Sequence, residues 1–257
     1  MTHYEHIEIA TADTITTITI NRPHARNALH GEAVAELKRA FRSFDGDSVA
    51  RVGVIHGAGG AFCAGADLKQ MSGDVNYEAW AGHSGGWLGA PLSKPLIAAV
   101  AGHAVAGGLG LALYCDIRIV DTTAVFGVFC RRFGVPMSDG TTVRLPRLIG
   151  ESRAMMMMLT GRAVGAEEAQ SIGLAAEVVP AGQSLQRAQA LAAEIAQFPQ
   201  RAMRSDRRSL LESRGLELDS ALRLEARLAE SAKRNEAQAG AARFAQGLGR
   251  HGADAND

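Results

Sequence analysis

Aromatic residues are scarce in this 257-residue chain, 5% of the total with two tryptophans, and there are only three cysteines. An excess of one charge is missing too, since Lys+Arg and Asp+Glu both number 27. That balance gives no basic surface for nucleic acid and no electrostatic reason to sit on a membrane. Cys63, Cys115 and Cys130 are far apart, odd in number and without CxxC spacing. They exclude a disulfide framework and a cysteine zinc site, and read as reduced thiols of a cytoplasmic protein. No cluster of metal-ligating residues and no P-loop or dinucleotide-type glycine motif is present, so neither a metal nor a nucleotide or flavin cofactor is expected. The opening stretch MTHYEHIEIATADTITTI has no apolar run behind basic residues, and no secretory signal is expected. Leu96 to Cys115 is long enough to cross a bilayer. It is Ala/Gly-rich, lacks the basic flanks of a span and carries His103, so a buried strand and helix is the better account.

What is present is ample core material: 47% hydrophobic against 21% charged residues, enough for one large domain or a domain with an appendage. Ile7-Glu8-Ile9 and Thr14 to Ile20 alternate with period two and predict a hairpin turned at Ala12-Asp13. Val34, Leu37, Phe41 and Phe44 have helical spacing within Gly31 to Phe44, and Val52 to His56 is a short apolar strand. This strand–helix–strand order continues through Ile117 to Val120 and Ala176 to Val179, which predicts an α/β body. Helices are expected at Thr141 to Ile149 and Glu151 to Leu159; the Met155 to Met158 run in the second predicts a helix buried on more than one face. Strands cease beyond Gln183. Three amphipathic helices follow, with a short last one at Ala241 to Gly249 and a frayed end from His251. The expected organisation is a core over 1–183 and a helical region over 184–257 that packs on the core or on another copy of the chain.

The sequence centres on Ala98 to Asp116, AAVAGHAVAGGLGLALYCD. A buried strand, Leu96 to Val100, precedes a helix around Leu109 to Leu113, and Ala106-Gly107-Gly108 sits where one gives way to the other. A helix start leaves backbone N–H groups unpaired, with the positive end of the dipole behind them, and glycine lets a ligand come close. Ala64-Gly65-Ala66, between the Val52 strand and a helix beginning near Leu68, repeats the arrangement. Two such turns facing one oxygen would make an oxyanion hole, while each alone reads equally as a tight turn. Trp80, Trp87, Phe129 and Phe133 are candidates for shaping an apolar pocket, or for the core.

Several motifs together carry a resemblance: Asn21-Arg22-Pro23 with Asn27-Ala28-Leu29; Gly59 to Leu68; Lys94-Pro95 through Gly108; Cys115-Asp116; Phe126-Gly127; Arg144-Leu145; Thr160-Gly161-Arg162; and Ala166-Glu167-Glu168-Ala169 with Gly173-Leu174. In this order, over nearly the whole length, they make the chain resemble the crotonase (enoyl-CoA hydratase/isomerase) superfamily. The resemblance implies an α/β spiral of ββα units with a helical C-terminal trimerisation region, assembled as a homotrimer or a hexamer of two trimers. It implies an acyl-CoA thioester as small-molecule substrate, with coenzyme A as part of that substrate and no separate cofactor. By position, Ala66 and Gly107 match the two N–H donors to the thioester carbonyl. Ala25, Arg26, Ala64, Asp67 and Leu68 fall where the family touches the coenzyme, and Gly108, Gly110, Cys130 and Pro136 are further positions expected to contact the substrate or its coenzyme. Arg26 reads as a phosphate contact or a surface arginine, and Asp67 as a helix-start residue.

The departures bear on chemistry. Hydratases of the family use two glutamates; their positions here hold Gly110 and Cys130, and neither can do a carboxylate's acid–base work. One carboxylate remains, Asp139, in a loop that enters the family's pocket. It has two readings, base or nucleophile of the reaction, or cap of the helix from Thr141. Arg131 and Arg132 are candidates to pair with it. Three functions follow: an enzyme of the hydratase/isomerase type with Asp139 as sole acid/base, a non-catalytic acyl-CoA binding protein, or a structural helper.

Overall fold

In the computed structural model, which describes residues 4–73 and 86–248, the Ile/Thr alternation forms a hairpin of β1 (Ile7–Ala12) and β2 (Ile15–Ile20), paired antiparallel from Ile7–Ile20 to Ala12–Ile15. The turn lies at Asp13-Thr14, with Asp13 at φ 52°. Trp80, His83 and the tail from His251 lie outside the described residues. By compactness the chain divides into two units, Met1–Ala193 and Glu194–Asp257.

In the first unit, α1 (Gly31–Gly46) starts on His30, whose Nδ1 accepts the Ala33 N–H at 3.1 Å. It buries Leu37, Ala40, Phe41 and Phe44, the periodic apolar face, against the sheet. β3 (Val52–Gly57) lies parallel to β2, and α2 (Leu68–Gly73) follows a loop at Ala64 to Asp67. β4 (Leu96–Val100) is buried at every position. The chain then crosses to a second sheet through β5 (His103–Val105) and enters α3 (Gly107–Tyr114), whose eight residues are all buried. β6 (Ile117–Asp121) returns to the first sheet and β7 (Val125–Gly127) joins the second. After α4 (Thr141–Ile149) and α5 (Glu151–Thr160), β8 (Ala163–Gly165) closes the small sheet, and α6 (Ala166–Ser171) leads to β9 (Glu177–Val179) at the edge of the large one. The large sheet runs β1-β2-β3-β4-β6-β9 and the small one β5-β7-β8. β4-β5-α3 and β6-β7-α4 each place one strand in each sheet and then a helix, the ββα repeat that the resemblance implies. An isolated bridge, Cys63 to Ala104, lets the segment after β3 act as the small sheet's member for the first turn.

The parallel strands carry the core because both faces of the large sheet are covered. Each fully buried Val, Leu or Ile contributes about 1.5–3 kcal/mol. Of the methionine run only Met157 is buried; Met155 and Met156 are about half exposed, so α5 buries one face rather than several. Trp87 packs 5.5 Å from the Phe41 ring. The three-residue strands β5 and β8 have no periodicity to read and are seen only here.

α7 (Ser184–Gln197) has its last turn in the second unit, which continues with α8 (Gln200–Glu212), α9 (Leu218–Ala232) and α10 (Gln238–Ala245). Within it Glu236 accepts the Arg201 and Ala202 N–H groups at the start of α8, at 3.1 and 2.9 Å.

Asn27 holds the loop on which Ala64 and Ala66 rest. It is fully buried at φ 57°; its Oδ1 accepts the Arg22 N–H at 2.8 Å and its Nδ2 donates to Ala58 O and Ala61 O at 2.8 and 2.6 Å. Asn27→Ala leaves two buried backbone groups and one half-buried one without their partner, and is expected to cost about 2–4 kcal/mol in denaturant unfolding.

Candidate active site

Two chain segments, 26–29 and 64–67, lie side by side. Ala64 N–H donates to Arg26 O at 3.0 Å, Leu29 N–H to Gly65 O at 2.8 Å, and Asp67 N–H to Leu29 O at 3.1 Å. This parallel ladder uses the groups on either side of Ala66, so the Ala66 N–H points away from it. Cys63 is tied to β5 by its N–H to His103 O at 2.8 Å and by Val105 N–H to Cys63 O at 3.1 Å. That places the Ala66 turn against the start of α3. Contact is close enough that only glycine fits: a Cβ on Gly65 (φ 92°) would stand 2.7 Å from Gly107 N, and one on Gly108 would overlap Cys63 O.

Gly107 is the first residue of α3, so its N–H has no partner within the helix. Ala106 before it has φ 50° and ψ −124°, a conformation that costs a side-chain-bearing residue about 1–3 kcal/mol. It is held there by its N–H bond to Gly127 O at 2.9 Å. Ala66 and Gly107 both line one cavity of about 710 Å³. Among the described residues neither N–H donates to another backbone oxygen.

The rest of the lining is apolar apart from Asp139 and Ser138, and includes Leu68, Met71, Phe129, Cys130, Phe133, Pro136 and Met137. No lysine, arginine or histidine is among the described lining residues. Asp139 is 5% exposed. Burial pushes its carboxyl above the usual carboxylate range, against the opposing pull of hydrogen bonding from Thr141 and the charge of Arg144. Its Oδ1 accepts the Thr141 N–H at 2.9 Å, at the start of α4, so the cap reading is realised in the same residue that lines the cavity. Its carboxyl lies against Gly110, one turn into α3 from Gly107: a Cβ on Gly110 would overlap Cγ and Oδ2 and stand 2.8 Å from Oδ1.

Arg131 and Arg132 do not pair with Asp139. Arg131 Nε donates to Met158 O at 3.1 Å, and Arg132 lies 4.2 Å from the Phe129 ring centroid. Both are exposed on the turn Phe129–Phe133. Arg144 is the cation beside Asp139, through Nη1 to the Asp139 carbonyl at 2.9 Å, and its spacing of five residues along a loop–helix junction gave no sequence signal. Cys130 is buried, with Sγ 3.1 Å from Met137 Sδ; burial, then the Asp139 charge, push its thiol up, so it stays neutral. Cys63 and Cys115 are buried free thiols, that of Cys63 pushed up to about 12 by burial.

Of the other expected residues, Ala64 and Leu68 line the cavity, whereas Ala25, Arg26, Asp67, Gly108 and Gly110 are not among its lining residues. Asp67 pairs with buried Arg22 at 3.2 Å and takes the Lys69 N–H at 3.1 Å, a structural role at the start of α2. Arg26 is exposed at φ 50°. His103 is half-buried and outside the lining. Met71, Val135 and Met137 complete the wall without a motif of their own.

The sequence profile of the enoyl-CoA hydratase/isomerase family matches residues 10–249. A probable enoyl-CoA hydratase of Rhizobium meliloti is 39% identical over 230 residues, covering 89% of this chain and 90% of that protein. The 2,3-dehydroadipyl-CoA hydratase of Escherichia coli K12 is 34% identical over 219 residues, 82% of this chain and 84% of that one. Among solved structures, the enoyl-CoA hydratase EchA1 of Mycobacterium marinum superposes with a TM-score of 0.88 at 34% identity, covering 94% of this chain and 96% of that one. With the spiral fold, these matches establish that the chain belongs to the enoyl-CoA hydratase/isomerase family.

Proposed function

We propose that this chain is an acyl-CoA thioester enzyme that works through an enolate, with Asp139 as its sole acid/base. The observation that carries the reading is one buried carboxylate in an apolar cavity that is also lined by Ala66 and Gly107, whose N–H groups donate to no backbone oxygen among the described residues. The thioester carbonyl oxygen would lie between those two N–H groups. The positive end of α3 stands behind Gly107, where negative charge on the oxygen gains most in a water-poor site. Gly110 lies three residues on, about 4.5 Å along the helix axis, so the carboxyl beside it is within reach of the carbon next to the thioester. The C–H electron pair moves into the carbon–carbon bond of the enolate as the proton passes to Asp139 Oδ2. Return of that proton to the same carbon, or to one conjugated with it, completes a turnover. Two-carboxylate hydration is not the reading, because Gly110 and Cys130 supply neither of the glutamates that the family's hydratases use. Arg26 would meet a coenzyme phosphate outside the cavity, beside the Ala64 that its carbonyl holds.

The proposed assembly is a homotrimer or a hexamer of two trimers. It is supported by the exposed Leu210, Leu218, Leu222 and Phe244 on the second unit. Sedimentation of the purified chain is expected to give three or six times 27.0 kDa, and a monomer would count against it.

Asp139→Asn is expected to lower kcat by ~10²–10⁴-fold while leaving thioester binding in place. Calorimetry beside a turnover screen of enoyl-, dienoyl- and aryl-CoA thioesters checks this; tight binding without turnover by the unaltered chain would point instead to a carrier of acyl-CoA. The raised carboxyl also fixes a sign. Asp139 accepts a proton only when ionised, so kcat/KM rises with pH through a value above the usual carboxylate range. Between the unfolded and folded values the folded chain binds more protons, so stability falls with rising pH in that window, and Asp139→Asn removes that slope.

The lining also sets a preference. An acyl group ending in a second carboxylate would bring a like charge toward Asp139 with no described lining cation to meet it. Neutral acyl-CoA thioesters are expected to exceed their ω-carboxylated counterparts in kcat/KM by ~10²-fold.

A further inference from the structure

We infer that Gly110 is a positioning residue: its missing side chain is the slot in which the Asp139 carboxyl is held. The inference rests on the reading of Asp139 as the acid/base. It adds that residues 110 and 139 exclude one another sterically, so the site holds one carboxylate by construction.

The slot is tight where the carboxyl meets α3. A Cβ at 110 would overlap Asp139 Cγ and Oδ2. The carboxyl has little room to move aside, because Asp139 is 5% exposed and its Oδ1 is tied to the Thr141 N–H at 2.9 Å. Its backbone is fixed as well, by the Arg144 bond to its carbonyl at 2.9 Å, while Arg144 also donates to Leu88 O and lies 5.5 Å from the Tyr114 ring centroid. Only rotation about the Asp139 Cα–Cβ bond can relieve a clash. That rotation breaks the Thr141 bond and takes the carboxyl off α3. Gly110 has no need of glycine for its own conformation. It lies inside α3 and is not among the glycines with positive φ, so alanine suits its backbone as well or better. Its value lies in the volume that it leaves empty. The three nearest atoms to that volume all belong to Asp139, and Gly110 stands three residues along α3 from Gly107.

Gly110→Ala is the test, with Asp139→Ala, which removes the overlapped Cγ, and the double variant beside it. Gly110→Ala is expected to lower kcat by ~10²-fold or more, approaching Asp139→Asn, with KM changed little. The ionisation seen in its kcat/KM profile should move down toward the usual carboxylate range, because the carboxyl leaves its buried slot. In the Asp139→Ala background the same alanine should have no further effect on turnover. Thermal melting supplies the second readout. Any loss of Tm from Gly110→Ala should be recovered in the double variant, which lacks the carboxyl. Wild-type kcat and an unmoved pH profile in Gly110→Ala, with Asp139→Asn inactive, would overturn the inference and leave the reading of Asp139 intact. An equal fold-loss from the alanine in both backgrounds would also overturn it. Full activity in Asp139→Asn would remove the reading itself, and this inference with it.

Discussion

The site depends on the contact between the Ala64–Ala66 turn and the first residue of α3. Nothing larger than glycine at 65 or 108 permits that contact, since a Cβ at 65 would stand 2.7 Å from Gly107 N. The spiral exists around it. β3 and β4 lie side by side in the large sheet, and the segments that leave them meet again through the Cys63–Ala104 bridge in the small one. Two successive repeats therefore deliver equivalent turns to the same place. The strained Ala106 is the local cost of aiming the second turn, and the buried α3 and the Gly127 bond hold it there.

Electrostatics follow from that packing. The cavity lining is largely apolar, so the partial positive charge at the start of α3 is weakly screened. Under the proposed chemistry it opposes the charge that grows on the thioester oxygen. Burial keeps the Asp139 carboxyl above its usual range, which makes it a better proton acceptor once ionised. The Thr141 N–H holds one of its oxygens. Under the proposed chemistry the other oxygen takes the proton, so that helix capping and proton transfer use one oxygen each.

Much of this was legible in the sequence, and for physical reasons. Alternation in Ile15 to Ile20 and helical spacing in Gly31 to Phe44 survive folding because each element buries one face. The glycine turns at 64–66 and 106–108 could be read as a pair because each follows an apolar run. What was illegible lacks local pattern. β5 and β8 are three residues long, and their pairing is decided by neighbours distant in sequence. The Met155 to Met158 run looked buried by composition, yet α5 buries Met157 and part of Met158 while Met155 and Met156 stay about half exposed, because only one face of the helix meets the core. Arg144 beside Asp139, in place of Arg131 or Arg132, reflects the direction of the turn at Phe129–Phe133, which spacing does not encode. The fit of Gly110 to Asp139 joins two places 29 residues apart, and only the folded chain shows it.

The most direct test of the central claim follows the proton. A saturated acyl-CoA thioester is incubated in D2O with the protein, and loss of the proton next to the carbonyl is read by NMR. That step needs only the two N–H groups and one base, with no double bond and no water addition. The account predicts exchange well above the uncatalysed rate, abolished by Asp139→Asn while calorimetry still shows the thioester bound. A thioester bound just as tightly by the unaltered chain, with no exchange, would contradict it.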